Sequence, residues 1–192
     1  SECIISGSIN SFPVKNADLY IGNAGTAIRP LTAALAFNNG DYKLYGTKRM
    51  HERPIKDLID SLNSIGANIE YLNEYGYPPI QIKKTNHNTN KVIVKGNVSS
   101  QFLTSLILSS TIFSKNKDFK IYVEGNLISK PYINITLKLM NLFGVRILEK
   151  KNKVFLISSK QILNSPKKID IESDASSASY FLAAAAIGGG AL

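Results

Sequence analysis

The sequence predicts an α/β fold of repeated strand-and-helix units, with helices packed inside and sheets outside, and three observations predict it. A Gly-Asn turn heading an apolar helix occurs twice, at Gly22-Asn23 and again at Gly96-Asn97. A second helix follows each turn, entered through Arg53-Pro54 in one copy and Lys130-Pro131 in the other. Short β-rich runs lie between and after these helices. Self-similarity at a period of about 75 residues marks a repeated supersecondary unit, and alternating strands and helices build α/β layers.

The first turn, Gly22 to Pro30, is the most informative segment. Gly22 and Gly25 let the main chain approach a ligand closely, and Thr26 is placed to cap the helix. The unpaired N–H groups of a first helical turn, with the positive end of the dipole, favour phosphate or carboxylate. In Ile55, Leu58, Ile59, Leu62 and Ile65 the apolar residues follow the spacing of a helix face. Pro54 suits the first helical position and Gly66 the C-terminal cap. The parallel stretch from Pro131 carries Ile135, Leu139 and Leu142 on one stripe before Gly144 and is helical by the same criterion.

Strands are expected at residues 42–45, 68–72, 80–83, 91–94, 119–123, 145–148, 154–157 and 169–171, several of them alternating apolar with polar as a sheet with one covered face should. Each unit then reads strand, turn, helix, strand, loop, helix, strand, strand. The polar stretch Thr85 to Asn90 is the expected boundary between units, and residues 158–168, with Pro166, form a second. At Asp174-Ala175-Ser176-Ser177 a third turn heads an Ala-rich helix.

Composition narrows the function classes. With 192 residues and 44% hydrophobic content the chain can bury a substantial core. It contains no apolar run of membrane-spanning length and no secretory leader pattern, so a cytoplasmic protein without membrane association is expected. Cys3 is the single cysteine, which agrees with a reducing compartment. The net charge of +9 comes from nineteen lysines against four arginines, alongside eighteen asparagines. Lysine and asparagine share AT-rich codons, so codon bias explains most of the charge. The lysines are scattered and not interleaved with aromatics, which argues against nucleic acid.

Neither histidine, His51 or His87, has a partner at metal-ligand spacing, and Cys3 has no histidine near it in sequence, so no metal, cofactor or nucleophile constellation is expected. Both histidines read as surface residues. Ser99, Ser100 and Gln101 stand opposite the Asn23 to Thr26 turn in the repeat, which favours a ligand role over plain capping. Arg53 sits at a helix start, where a cation is disfavoured by the dipole unless an anion binds nearby. Lys130 matches Arg53 in the repeat, suggesting two positive arms on one anionic cluster. Ser129 and Tyr132 read equally as a helix cap with a half-buried aromatic or as ligand groups.

Five segments together resemble the enolpyruvyl transferase family, in the branch that acts on shikimate 3-phosphate: residues 22–31, 49–55, 98–104, 129–133 and 174–181. The resemblance runs along essentially the whole chain. It implies transfer of the enolpyruvyl group from phosphoenolpyruvate to the 5-hydroxyl of shikimate 3-phosphate, on an inside-out α/β barrel of βαβαββ units in two domains. Carried over by position, Asn23, Gly25, Arg53 and Gln101 bind phosphoenolpyruvate; Ser99, Ser100, Gln101, Ser129 and Tyr132 bind shikimate 3-phosphate. No cofactor is implied.

The family's acid/base and further cationic residues have no counterpart here, so no catalytic residue is assigned and the chain alone is expected to be inactive. Residues 1–171 correspond to an incomplete upper domain, with units at about 12–90 and 91–168, and residues 172–192 to the start of a second; the complete enzyme is expected to be a monomer. Two rivals are the related transferase acting on UDP-N-acetylglucosamine, which uses a loop cysteine missing between Arg49 and Pro54, and a non-catalytic phosphate-binding module.

Overall fold

The computed structural model describes residues 2–7, 11–85, 89–97, 99–114, 116–151 and 153–189. Two four-stranded sheets have the same design. In the first, β1 (Asn16–Tyr20) runs parallel to β2 (Asp41–Tyr45), and β4 (Ile80–Lys83) and β3 (Asn68–Tyr71) continue it antiparallel in the order β1-β2-β4-β3. In the second, β5 (Lys91–Lys95), β6 (Phe119–Glu124), β8 (Val154–Ile157) and β7 (Ile147–Lys150) repeat that order and those directions. The repeat read from the Gly-Asn turns is therefore a repeat of topology.

Two helices cross over in each unit. Helix α1 (Gly25–Leu35) joins β1 to β2 and α2 (Lys56–Ser64) joins β2 to β3; α3 (Ser100–Leu108), with a short continuation α4 (Ser110–Phe113), joins β5 to β6, and α5 (Lys130–Leu142) joins β6 to β7. Helix α1 packs on α3 and α3 on α5, while the sheets lie outside. Alternation sets which residues of a strand face inward. Tyr42 and Leu44 of β2, and Phe119, Ile121 and Val123 of β6, are buried while their neighbours are not. Ile28 of α1 and Phe102, Leu103 and Leu106 of α3 complete the core between the sheets. Each such aliphatic or aromatic side chain contributes about 1.5–3 kcal/mol by leaving water.

Some expectations needed correction. Residues 169–171 form no strand, because among the described residues no neighbouring strand pairs with them. Helix α2 begins at Lys56 with Ile55 as its N-cap, so Pro54 precedes the helix instead of starting it. The C-terminal glycines behave as expected: Gly66 and Gly144 have φ of +100° and +83°, and the residues after them close the same backbone bond onto Leu62 and Met140. Helix α5 buries Ile133, Thr136 and Met140 and leaves Ile135, Leu139 and Leu142 outside, so the stripe that betrayed the helix is not its packed face. A final helix, α6 (Ala175–Gly188), has no buried residue.

Candidate anion-binding site

The chain leaves β1 through Ile21, whose N–H still pairs with Tyr45, and turns at Gly22 with φ +58°, a conformation that glycine adopts at little cost. The turn is locked to the loop after β2: Thr47 N–H donates to Gly22 O at 2.9 Å, and a side chain at Gly46 would collide with that same oxygen. That loop continues into a 3-10 turn (Lys48–Glu52) and delivers Arg53 back to the start of α1. Arg53 Nη1 donates to Asn23 O at 3.0 Å. Two segments thirty positions apart thus form one edge.

The N-cap of α1 is Ala24, with no side-chain capping bond, and Thr26 lies inside the helix. The expected cap by Thr26 is therefore wrong. The helix start carries no side-chain cap: Gly25 and Ala27 N–H close backbone bonds onto Asn23 O and Ala24 O at 3.1 and 3.0 Å, and among the described residues Thr26 N–H has no acceptor, which leaves it for a ligand. Gly25 is buried, and a Cβ there would press on the Arg53 guanidinium and stand 2.7 Å from Arg29 Nη1. Two guanidinium groups thus meet over one glycine. The nearby carboxylate of Glu52 is already engaged, pairing with Arg49 at 2.6 Å.

Arg29 was not picked out from the sequence. It is only 6% exposed, and burial first, then the charge of Arg53, pushes its pKa below the usual guanidinium value. Two like charges held together without a carboxylate favour an incoming anion. The available signal was an arginine four residues after Gly25 in an otherwise apolar helix, where the helical period puts it directly beneath the turn.

The second turn arrives from the other unit. Ser99 is the N-cap of α3, its Oγ accepting from Gln101 N–H at 3.2 Å, so the capping reading holds for Ser99 whatever else it does. Gln101 Oε1 accepts from Arg29 Nη1 at 2.7 Å, which ties the two turns together. Ser100, half-buried, opens the helix beside it. Asn23, Gly25, Arg53 and Gln101 are therefore brought into one constellation.

Among the described residues, neither Ser129 nor Tyr132 is hydrogen-bonded to that constellation. Ser129 is the left-handed N-cap of α5, with φ +53° and no side-chain cap, and Tyr132 is 63% exposed. Helix α5 meets α3 deeper in, where the hydroxyls of Thr104 and Thr136 lie 3.2 Å apart. Lys130 Nζ lies 3.9 Å from Glu149 on β7 of its own unit. His51 is half-buried, its Nε2 accepting from Gly46 N–H at 3.3 Å, so it supports the loop and is not a bare surface residue. His87 lies outside the described residues.

Residues 1–192 match the family EPSP synthase (3-phosphoshikimate 1-carboxyvinyltransferase). The chain belongs to the EPSP synthase family. A 3-phosphoshikimate 1-carboxyvinyltransferase of Janthinobacterium sp. (strain Marseille) is 55% identical over 189 residues, 98% of this chain and 43% of that protein. One from Herminiimonas arsenicoxydans is 54% identical over the same shares. The chain thus spans less than half the length of these relatives. In fold it resembles EPSP synthase from Acinetobacter baumannii, with a TM-score of 0.69 at 24% identity over 89% of this chain and 37% of that one. Among the described residues no helix is long and apolar enough to cross a membrane, and no group of His, Cys, Asp and Glu could hold a metal ion.

Proposed function

We propose that this chain is the substrate-holding part of an enzyme that transfers the enolpyruvyl group of phosphoenolpyruvate to the 5-hydroxyl of shikimate 3-phosphate. In that reaction the hydroxyl oxygen bonds to C2 of phosphoenolpyruvate, the C2–O bond to phosphate breaks, and the hydroxyl proton leaves, in net balance, on the released inorganic phosphate. The observation that carries the reading is the pair of guanidiniums over the helix start at Gly25, joined to Gln101 of the next unit. Two multiply charged anions held side by side require such fixed cationic donors, and their pre-set geometry is itself catalytic.

Asn23, Gly25 and Arg53 take phosphoenolpyruvate, Ser99 and Ser100 with Ser129 and Tyr132 take shikimate 3-phosphate, and Gln101 stands between them. No catalytic acid or base is assigned within these 192 residues, and the isolated chain is expected to be inactive because a closing domain must exclude water.

The domain reading completes the proposal: residues 1–171 are most of one domain and 172–192 open a second, in a cytoplasmic enzyme that is monomeric when complete. Three surfaces support it. Helix α6, apolar on all sides, has Tyr180, Phe181 and Ile187 in solvent, whereas a helix apolar all round belongs inside a protein. The outer stripe of α5 is uncovered. A groove of about 410 Å³ between β1 and α1, lined by Phe12, Val14, Leu19, Leu31 and Leu35, is open as well.

Calorimetry on the full-length protein tests the substrate. Shikimate 3-phosphate should bind and UDP-N-acetylglucosamine should not; the reverse result would reassign the acceptor. Turnover by the 192-residue chain alone, at a rate near that of the full protein, would contradict the domain reading.

A further inference from the structure

Arg29 does more than add charge. Its Nη1 donates to Gly25 O at 3.3 Å and to Gln101 Oε1 at 2.7 Å, and its Nη2 donates to Pro54 O at 2.9 Å. The guanidinium also lies over the Phe102 ring, 5.6 Å from its centroid. One rigid planar group therefore joins the first turn of α1, the segment that carries Arg53, and the first turn of α3 in the other unit. Its Nε is buried without a partner, so every anchoring bond is made through the two terminal nitrogens. Lysine, a single point donor on a flexible stem, cannot reproduce three acceptors in one plane.

The bond to Gln101 has a consequence for sign. A glutamine amide offers an oxygen acceptor at one end and two N–H donors at the other, and it can face a neighbour with either. Arginine only donates. Facing Arg29, the amide must turn its oxygen inward, which leaves the NH2 end outward. Among the described residues that NH2 has no hydrogen-bond partner, while the main-chain N–H and C=O of Gln101 are taken by Ser99 and Ser105. With the amide free to rotate, its oxygen would face an anion as often as its nitrogen and would repel it.

We propose that Arg29 is a positioning residue: it fixes the Gln101 amide with its oxygen inward, so that two N–H donors are presented to the anionic substrate between the two turns. The proposal rests on the reading of Gln101 as a substrate ligand. Arg29 acts through Gln101 and through the placement of Gly25 and Pro54, not by touching the reacting atoms.

The test is a double-mutant cycle in the full-length protein, reading phosphoenolpyruvate affinity by calorimetry in the presence of shikimate 3-phosphate. Gln101→Ala and Arg29→Lys should each weaken phosphoenolpyruvate by roughly tenfold, and the double variant should be no worse than about twofold beyond either single one, because both remove the same donor. KM for phosphoenolpyruvate should rise in the same proportion in both single variants. If the two losses multiply, Arg29 acts independently and the positioning role is wrong, while Gln101 remains a ligand. If Gln101→Ala leaves both substrates bound as before, the ligand reading of Gln101 falls and the proposal with it.

Gln101→Glu decides the matter should Arg29→Lys not fold. It keeps an acceptor for Arg29 and loses the outward donors, so phosphoenolpyruvate binding should drop by at least about tenfold with the melting temperature unchanged or raised. Retained affinity would overturn the proposal.

Discussion

The two units share a topology and differ at every point where the first would meet an anion. In the first, the helix start at Ala24 is uncapped, a buried glycine faces two guanidiniums, and Arg53 reaches back to Asn23. In the second, the Ser99 hydroxyl accepts from the N–H of Gln101, and Lys130, placed like Arg53 in the sequence, lies near Glu149 instead. The same scaffold thus carries two different helix starts: one without a side-chain cap beneath two guanidiniums, the other capped by a serine hydroxyl beside the Gln101 amide. Outer helices differ in the same way. Leu58, Ile59 and Leu62 of α2 are sealed, with α2 packed against β5, where Ser61 Oγ donates to Ile93 O and Asp57 pairs with Lys95. On α5, in contrast, Ile135, Leu139 and Leu142 remain in solvent.

The largest effect that would break this comparison is on ligand binding. Arg53→Ala in the full-length protein should cost about 2 to 5 kcal/mol of phosphoenolpyruvate affinity, whereas Lys130→Ala should cost less than about 0.5 kcal/mol, both read by calorimetry. Equal losses would mean that two cationic arms serve the site after all. Next comes stability. Leu62→Ala, fully buried in α2, should lower the unfolding free energy of the 192-residue chain by about 2 to 4 kcal/mol in a urea titration, and Leu142→Ala, half exposed on α5, by less than about 0.5 kcal/mol.

Smaller effects sharpen the difference further. Ser99→Ala should destabilise the unliganded chain by about 1 kcal/mol through loss of the α3 cap, while Ala24, which makes no capping bond, should gain stability on replacement by Asp at some cost in anion affinity. The smallest is confined to the first unit. Burial pushes the Tyr71 hydroxyl up to about 12, and the hydroxyl is buried without a partner. The folded state then holds this proton more tightly than the unfolded chain, so its contribution is intact below about pH 10 and is lost as pH rises toward 12. Solvent screening limits the effect to less than about 1 kcal/mol. Tyr71→Phe should flatten that part of the stability curve, measured by urea titration at pH 9 to 11, and an unchanged slope would remove Tyr71 as its source.

Much of the fold was legible because it is carried by local chemistry: turn glycines, three-four apolar spacing, and alternation in the strands. The repeat made the sheet design readable twice over. What escaped depends on partners distant in sequence. Residues 169–171 alternate like a strand, but a strand exists only where another pairs with it. The stripe on α5 marked a helix without saying which face would be covered. At the site, Asn23, Gly25, Arg53 and Gln101 were readable as matched repeat positions, whereas Arg29 was hidden in an apolar helix and its role depends on Gln101, a contact between units. Thr26 looked like a cap because capping residues are recognised by type, while the N-cap is Ala24, two residues earlier.

The central claim, that the helix start without a side-chain cap, beneath two guanidiniums, holds phosphoenolpyruvate, is tested most directly by the affinities of a Gly25→Ala variant of the full-length protein for its two substrates. The added methyl must displace Arg53, so phosphoenolpyruvate binding should weaken by at least about tenfold, with shikimate 3-phosphate changed less than about twofold. Equal loss for both substrates, or no loss for either, would contradict it.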